Sequence, residues 1–296
     1  MEEGQLICLQ NDIMISQKFF FYSDGKWFTR NDLLKKLISV KANECDILYV
    51  HSGFSFGLPN PALKRSEIVH EFFEALIELK VRTICMPTFT FSFCNGQSFD
   101  NKNSRSSMGA LNEYFRKRPE ATRSCDPLMS SAIIGEHKDL VLDFTGESVG
   151  NDSTFDRISI QNNVKFLFMG TTLPDCFTYM HYLEWVARAP YRYNRIFEGE
   201  VSCQGEKQKK EATLFVRYNN VKPNITNTIL YGEKLKNIGA TKEVKFGDSS
   251  ISCVEKNIAS EVYLDIFSKD PNYFICDKFS KAEADPRFFS TNMVAL

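Results

Sequence analysis

His181 and Glu184 form the pair whose residue types and spacing best suit catalysis. Three residues apart on a helix, they project from one face. A carboxylate beside an imidazole orients the ring, fixes its tautomer and raises its basicity. That suits removal of a proton from an incoming nucleophile. An ordinary solvated helix face has the same spacing, so spacing alone does not decide. The stretch ahead of the pair, Gly170-Thr-Thr-Leu-Pro-Asp175, follows an apolar run and precedes the helix. Open α/β sheets bind ligands at such strand ends.

His51-Ser52-Gly53 closes another apolar run. Small residues and hydroxyls there can offer backbone N–H groups to a phosphate near a helix start. The spacing is neither that of a nucleoside-triphosphate loop nor that of a dinucleotide fingerprint, and a plain strand-to-helix turn reads the same way. Cys125, in Arg123-Ser-Cys-Asp126, is a thiol beside a cation. Nothing marks it as acidic, and an inert packed cysteine is the expectation. The four histidines are His51, His70, His137 and His181. None sits in a His-x-His or His-Glu-x-x-His pattern, and no metal is expected. Phe89, Phe91 and Phe93 alternate with hydroxyl residues and read as a strand edge that packs into the core or walls a pocket.

The elements that must position these residues follow from periodicity. Asn31 or Asp32 is expected to cap a helix over Leu33–Val40. Asp46–Val50 and Val164–Met169 are compact apolar runs of strand length, and Val81–Met86 is a third, stopped by Pro87. Between the first and third, Ile68, Phe72 and Leu76 recur at helical spacing over about Leu63–Lys80, with Val69, Phe73 and Ile77 beside them. Strand, loop, helix, strand is a βαβ unit and implies parallel pairing. Short helices are expected near Leu111–Phe115 and over Thr178–Arg188, with a buried segment at Ser130–Gly135. Residues 195–203 and 211–218 read as paired strands across a charged turn, Gly205–Lys210. A helix near 228–238, a strand near 243–246 and a helix near 258–268 follow. The fold expected is α/β, with a mixed, largely parallel central sheet flanked by helices and a smaller mixed C-terminal region. It is read as one domain over 1–296, with a motif-bearing core at 46–192 and a mixed part at 193–296.

Composition narrows the function. The 296 residues carry 36 Lys and Arg against 37 Asp and Glu, a net charge of −1. That excludes nucleic-acid binding through a broad basic field. Nine cysteines without a Cys-x-x-Cys read as reduced thiols in a cytoplasm. The longest uncharged stretch, Thr83 to Phe99, is broken by Asn95, Gly96 and Gln97 and makes a poor membrane span. The acidic start, Met1-Glu-Glu-Gly-Gln-Leu6, does not read as a secretory signal.

Six short segments, in order, resemble the aminoglycoside 3-N-acetyltransferase family, which also holds sugar-nucleotide N-acyltransferases. They are Leu48-Tyr-Val-His-Ser52 with Phe54; Met86-Pro-Thr-Phe-Thr90; Ser107-Met-Gly-Ala-Leu111 with Glu113; Arg118-Pro-Glu-Ala-Thr-Arg-Ser124 with Asp126-Pro127 and Ser130; Gly150-Asn-Asp-Ser-Thr-Phe-Asp156; and Thr171–Glu184 closing with Ala189-Pro-Tyr-Arg192. The resemblance implies acyl transfer from a coenzyme A thioester to a primary amine on a sugar, with His181 as base and Glu184 as its partner. It implies a coenzyme channel lined by His51, Ser52, Phe54, Ser107, Met108, Gly109, Arg123 and Ser124, with Thr172 near the thioester. Asp152, Tyr179, Glu184 and Arg192 would face the amine-bearing substrate. Two departures stand out. A second serine commonly follows Ser52 in the family, and Gly53 is expected to widen that turn. A histidine commonly stands at Asp126, which puts any role of that position in coenzyme binding in doubt.

Aminoglycosides are polycations that need clustered carboxylates, and the flanking segments carry few. Arg188, Arg192 and Arg195, with Lys102 and Arg105, suit a nucleoside diphosphate better. The sequence therefore favours a nucleotide-linked amino sugar as acceptor. An aminoglycoside acceptor, with antibiotic resistance, is the alternative, and a non-catalytic binding protein on the same scaffold is a further one. Acyl-coenzyme A is the expected co-substrate, and a homodimer is left open.

Overall fold

The computed structural model of the chain describes residues 19–287. The N-terminal hexapeptide read above lies outside them. A hairpin, β1 (Phe19–Ser23) and β2 (Lys26–Thr29), leads into α1 (Arg30–Ser39). The cap of α1 is Thr29 rather than Asn31 or Asp32. Thr29 Oγ1 accepts from the Asp32 N–H, and Asp32 Oδ2 accepts from the Thr29 N–H at 2.9 Å. This is a reciprocal capping box with Asp32 one turn in. Next come β3 (Ile47–Ser52), the short β4 (Leu58–Pro59), α2 (Arg65–Glu78), β5 (Thr83–Pro87) and β6 (Phe99–Asp100). Then follow α3 (Ala110–Arg116), β7 (Thr122–Arg123), β8 (Ser131–Gly135), α4 (Thr154–Ser159) and β9 (Val164–Met169). The rest of the chain forms α5 (Leu173–Cys176), α6 (Tyr179–Val186), β10 (Arg192–Cys203), β11 (Glu206–Arg217) and α7 (Ile225–Asn237). It closes with β12 (Thr241–Phe246), β13 (Ser249–Glu255) and α8 (Lys256–Lys269).

The main sheet has seven strands in the order β12-β13-β9-β3-β5-β8-β7. Its centre, β9-β3-β5, is parallel, and the outer strands run antiparallel. The central strands are buried on both faces, which is why they read as unbroken apolar runs rather than alternating ones. Strand parity divides the core. Tyr49, Phe166 and Phe168 pack on one side with Tyr179 of α6 and Tyr263 of α8. Leu48, Val50, Leu167 and Met169 pack on the other with Phe72 of α2. His51 has the parity of Tyr49 and therefore faces the α6 side.

Two expectations are corrected here. Phe89, Phe91 and Phe93 are not a strand, because Phe91 takes φ 58 and Phe93 opens a single 3-10 turn. The cysteines are not all reduced, because Cys125 and Cys203 are disulfide-bonded with their Cα atoms 5.6 Å apart. The bridge also removes Cys125 as a thiol nucleophile. The charged turn is tighter than expected, since Glu206–Lys210 already belong to β11 and only Gln204 and Gly205 turn.

Candidate active site

The carboxyl ends of β3 and β9 lie side by side, with Ser52 opposite Met169. Gly53 donates its N–H to the Met169 carbonyl at 2.7 Å. A Cβ at Gly53 would stand 2.4 Å from the Gly170 carbonyl oxygen. The glycine therefore allows a close approach of two backbones, and the expected widening of the turn is overturned.

A cavity of about 630 Å³ opens at these strand ends. His51, Ser52, Ser107, Met108 and Gly109 line it, as expected. Gly109, the N-cap of α3, takes φ 118, a conformation few other residues adopt. Phe89 and Phe91 wall the cavity from the β5 side. Asn112 was missed by sequence reading. Its Oδ1 accepts from Ser52 Oγ at 2.9 Å and its Nδ2 donates to the Pro87 carbonyl at 2.8 Å, so it ties β3 to β5 at the cavity floor. An amide between the apolar Leu111 and Phe115 of a short helix was the signal that could have found it.

The structure does not bring the other expected coenzyme residues to this cavity. Arg123 is buried, and its guanidinium donates to Thr88, Ser130, Asn101 and Ser104 oxygens. Burial lowers its pKa to about 9. Ser124 is paired with Ser131 through both backbone and side chain. These two residues fasten β7 and its neighbours together. Phe54 packs edge-on against Phe72 at 4.9 Å. Thr172 is exposed, caps α5 and donates to Asp175 Oδ2 at 2.5 Å, while its neighbour Thr171 reaches the cavity. Asp126 accepts at Oδ1 from Leu128 N, Met129 N and Ser148 Oγ. Burial raises its pKa to about 6, and it shapes a turn.

At the N-cap of α6, Thr178 lies at the cavity wall and donates to or accepts from His51 Nε2 at 3.3 Å. One turn later stands His181, 9% exposed. Thr178 lines this cavity and His181 does not. His181 Nδ1 is 3.0 Å from Glu184 Oε2. Tyr191 donates to Glu184 Oε1 at 2.9 Å, and Arg192 Nη2 lies 2.8 Å from Oε2. Arg192 Nη1 donates to the Phe215 carbonyl at 2.9 Å. Among the described residues, His181 Nε2 and His51 Nδ1 are buried with no hydrogen-bond partner. Burial, reinforced by Arg192, lowers the His181 pKa to about 4. Burial pushes Glu184 upward, but Arg192 and His181 outweigh it and hold the carboxyl down to about 2. The site thus holds an ionised carboxylate against a neutral imidazole with one buried nitrogen unpartnered, an arrangement able to accept a proton.

The expected substrate residues separate. Glu184, Arg192 and Tyr179 are buried. Arg192 is therefore an internal partner of Glu184 rather than a cation presented to a diphosphate. Tyr179 is core, edge-on to Phe155 and tilted against Phe166 and Tyr182. Asp152 is exposed at φ 58 ahead of α4. Among the described residues, no group of three or more His, Cys, Asp or Glu is placed to hold a metal ion. No helix among them is long and apolar enough to cross a membrane.

The model of the aminoglycoside 3-N-acetyltransferase family matches residues 71–267. The chain belongs to that family. Solved structures similar to this one include aminoglycoside acetyltransferase AAC(3)-IVa as the apoenzyme, with 20% identity, 86% of this chain and 93% of that one covered, and a TM-score of 0.66. AAC-IIIb in a binary complex with CoASH has 18% identity, 82% and 97% coverage and a TM-score of 0.67. AAC-VIa bound to sisomicin has 17% identity, 82% and 98% coverage and a TM-score of 0.68. At these identities the likeness is one of fold. No curated protein sequence matches the chain. The mixed α/β architecture expected from the sequence is the one this aminoglycoside 3-N-acetyltransferase family member shares with those structures.

Proposed function

We propose that this protein transfers an acyl group from acyl-coenzyme A to a primary amine of an aminoglycoside-type amino sugar, with His181 as general base. The observation that carries the reading is the buried His181 ring, held at Nδ1 by the ionised Glu184 and unpartnered at Nε2.

The chemistry needs no covalent acyl-enzyme. A protonated amine is not nucleophilic. The acceptor therefore reacts as the free amine, its ammonium proton already released to solvent, and His181 Nε2 takes a second proton from the nitrogen as it attacks the thioester carbonyl. The carbon–sulfur bond then breaks, the amide forms, and the proton passes to the departing thiolate. Holding both reactants in one cleft supplies much of the rate. A second cavity of about 720 Å³ shares Ser107 and Gly109 with the first and is lined by Arg65, Arg105 and Lys117. These cations suit the phosphates of the coenzyme, and the smaller first cavity, walled by Phe89 and Phe91, suits its pantetheine arm.

The family membership supports the aminoglycoside acceptor over the nucleotide-linked sugar favoured by the sequence. That preference leaned in part on Arg192, whose guanidinium is internal. The deciding experiment offers acetyl- and other short acyl-coenzyme A donors with kanamycin-like aminoglycosides and with nucleotide-linked 3- and 4-amino sugars, and records free thiol. Release with aminoglycosides is expected. Release with the nucleotide-linked sugars alone would overturn the acceptor class, and release with neither would overturn the activity.

A further inference from the structure

Arg192 Nη2, Glu184 Oε2 and His181 Nδ1 form a nearly equilateral triangle with sides of 2.8, 3.0 and 2.7 Å. We propose that Arg192 is the positioning residue of this site: it neutralises Glu184 and so keeps the His181 ring uncharged, with its proton on Nδ1 and its lone pair on Nε2. The inference rests on the general-base reading above and extends it to a residue that does not itself touch the reacting atoms.

The triangle admits two proton arrangements. In one, Nδ1–H donates to Oε2, with Arg192 beside that oxygen as its ion-pair partner at 2.8 Å. In the other, Arg192 donates to Nδ1 and the ring proton sits on Nε2. An arginine nitrogen only donates, and its two N–H bonds diverge by ~120°. Oε2 and Nδ1 subtend far less than that, so Nη2 cannot aim squarely at both: it has hydrogen-bond geometry toward Nδ1 at 2.7 Å and meets Oε2 as an ion pair. The carboxylate oxygen carries the charge and is the stronger acceptor. Giving Nδ1–H to Oε2 then leaves Nε2 as a bare lone pair. The opposite arrangement would forfeit a charge-assisted bond and bury an N–H at Nε2 with no partner.

Charge balance points the same way. A lone carboxylate beside an imidazole would draw a second proton onto the ring. The groups that face this ring are Glu184 on its own helix, Arg192 from β10 and Arg217 from β11. Tyr191, and Tyr263 from α8, are phenols that burial keeps un-ionised. From α4, Asp156 accepts from the Tyr182 hydroxyl. One carboxylate therefore meets two guanidiniums, and a charged imidazole would add a third cation. The lowered His181 pKa agrees in direction.

The test reads the ring without donor or acceptor. With 15N-histidine labelling, the four histidines give few enough signals to assign His181 by its loss in His181→Asn. In the wild type at pH 7 we expect a neutral ring with Nε2 unprotonated. A charged ring, or a proton on Nε2, overturns the proposal, and this measurement needs no Arg192 variant to fold. In Arg192→Met the ring pKa should rise by about one pH unit or more, and Arg192→Lys should reverse most of that rise. The acid limb of kcat/KM should move with it. A purely structural role would lower activity at every pH and leave the limb in place. An unchanged ring titration in Arg192→Met overturns the proposal. Absence of acyl transfer with the expected ring titration would instead sink the proposed function and leave this ring assignment standing.

Discussion

The backbones of Gly53 and Gly170 meet so closely that a methyl group on the first would stand 2.4 Å from the carbonyl oxygen of the second. The contact joins the ends of two parallel strands where the cavity opens. Gly53→Ala must push the strands apart, and overpacking of this kind costs ~1–3 kcal/mol. A lower melting temperature and weaker coenzyme A binding by calorimetry are expected. Wild-type values for both would show that the strand ends yield freely.

His181→Asn keeps the size of the side chain but removes the base. Turnover should fall ~10²-fold or more, the magnitude of a lost general base, with the melting temperature close to wild type. A folded variant with unchanged thiol release would take His181 out of the reaction.

Glu184→Gln leaves Arg192 buried without its carboxylate. Breaking one half of a buried pair typically costs ~3–5 kcal/mol. Denaturant unfolding should report a loss of that order. Combining the change with Arg192→Met should recover part of it, since the uncompensated charge is then gone. Equal stability of the single and double variants would show that the pair does not act as a unit.

Cys125→Ala removes the bridge to Cys203, which closes a loop with a sequence separation of 78. Such a cross-link is worth ~2–4 kcal/mol. The variant should melt lower yet keep most of its turnover. A reducing agent should lower the melting temperature of the wild type and leave the variant where it is. Complete loss of turnover in a folded variant would revive the thiol as a participant.

Acid should weaken the fold through two rings. Burial lowers His51 to about 3 and His181 to about 4, against 6.5 for an exposed histidine. As pH falls from about 6.5 toward 4, the unfolded chain takes up protons that the folded rings refuse, so stability declines across that window. Glu184, held down to about 2 from 4.5, contributes stability that is lost at still lower pH. The urea midpoint should be lower at pH 5 than at pH 7, and His51→Gln should shrink the difference. Equal midpoints in the wild type would contradict this.

How much of this was readable in advance follows from what a sequence encodes locally. Val164–Met169 was read to the residue because a strand buried on both faces is apolar nearly throughout, Lys165 being the exception, its ammonium bonded to the Lys41 carbonyl. The His181–Glu184 pair was legible because helical spacing alone sets it. β13, Ser249–Glu255, was missed because its serines at 249, 250 and 252 look like a turn. Arg192 was read as a cation for a ligand because burial is a tertiary fact: the Tyr191–Arg192 corner turns it onto α6, and nothing in the local pattern announces that. Cys125 and Cys203 carry no spacing signal across so long a loop, and they meet only because β6 aligns with the end of β10.

The β10 strand begins with Arg192 and ends with Cys203, so at ~3.3 Å per residue its two termini lie roughly 36 Å apart. A hairpin ladder can slide by two residues and still keep each side chain on its own face. Such a slide would carry Cys203 about 7 Å along its axis, past the span a sulfur bridge tolerates. The cross-link therefore works as a register pin. It denies the ladder the one displacement that pairing would permit, and in doing so it fixes from the far end where the first guanidinium of the strand must lie.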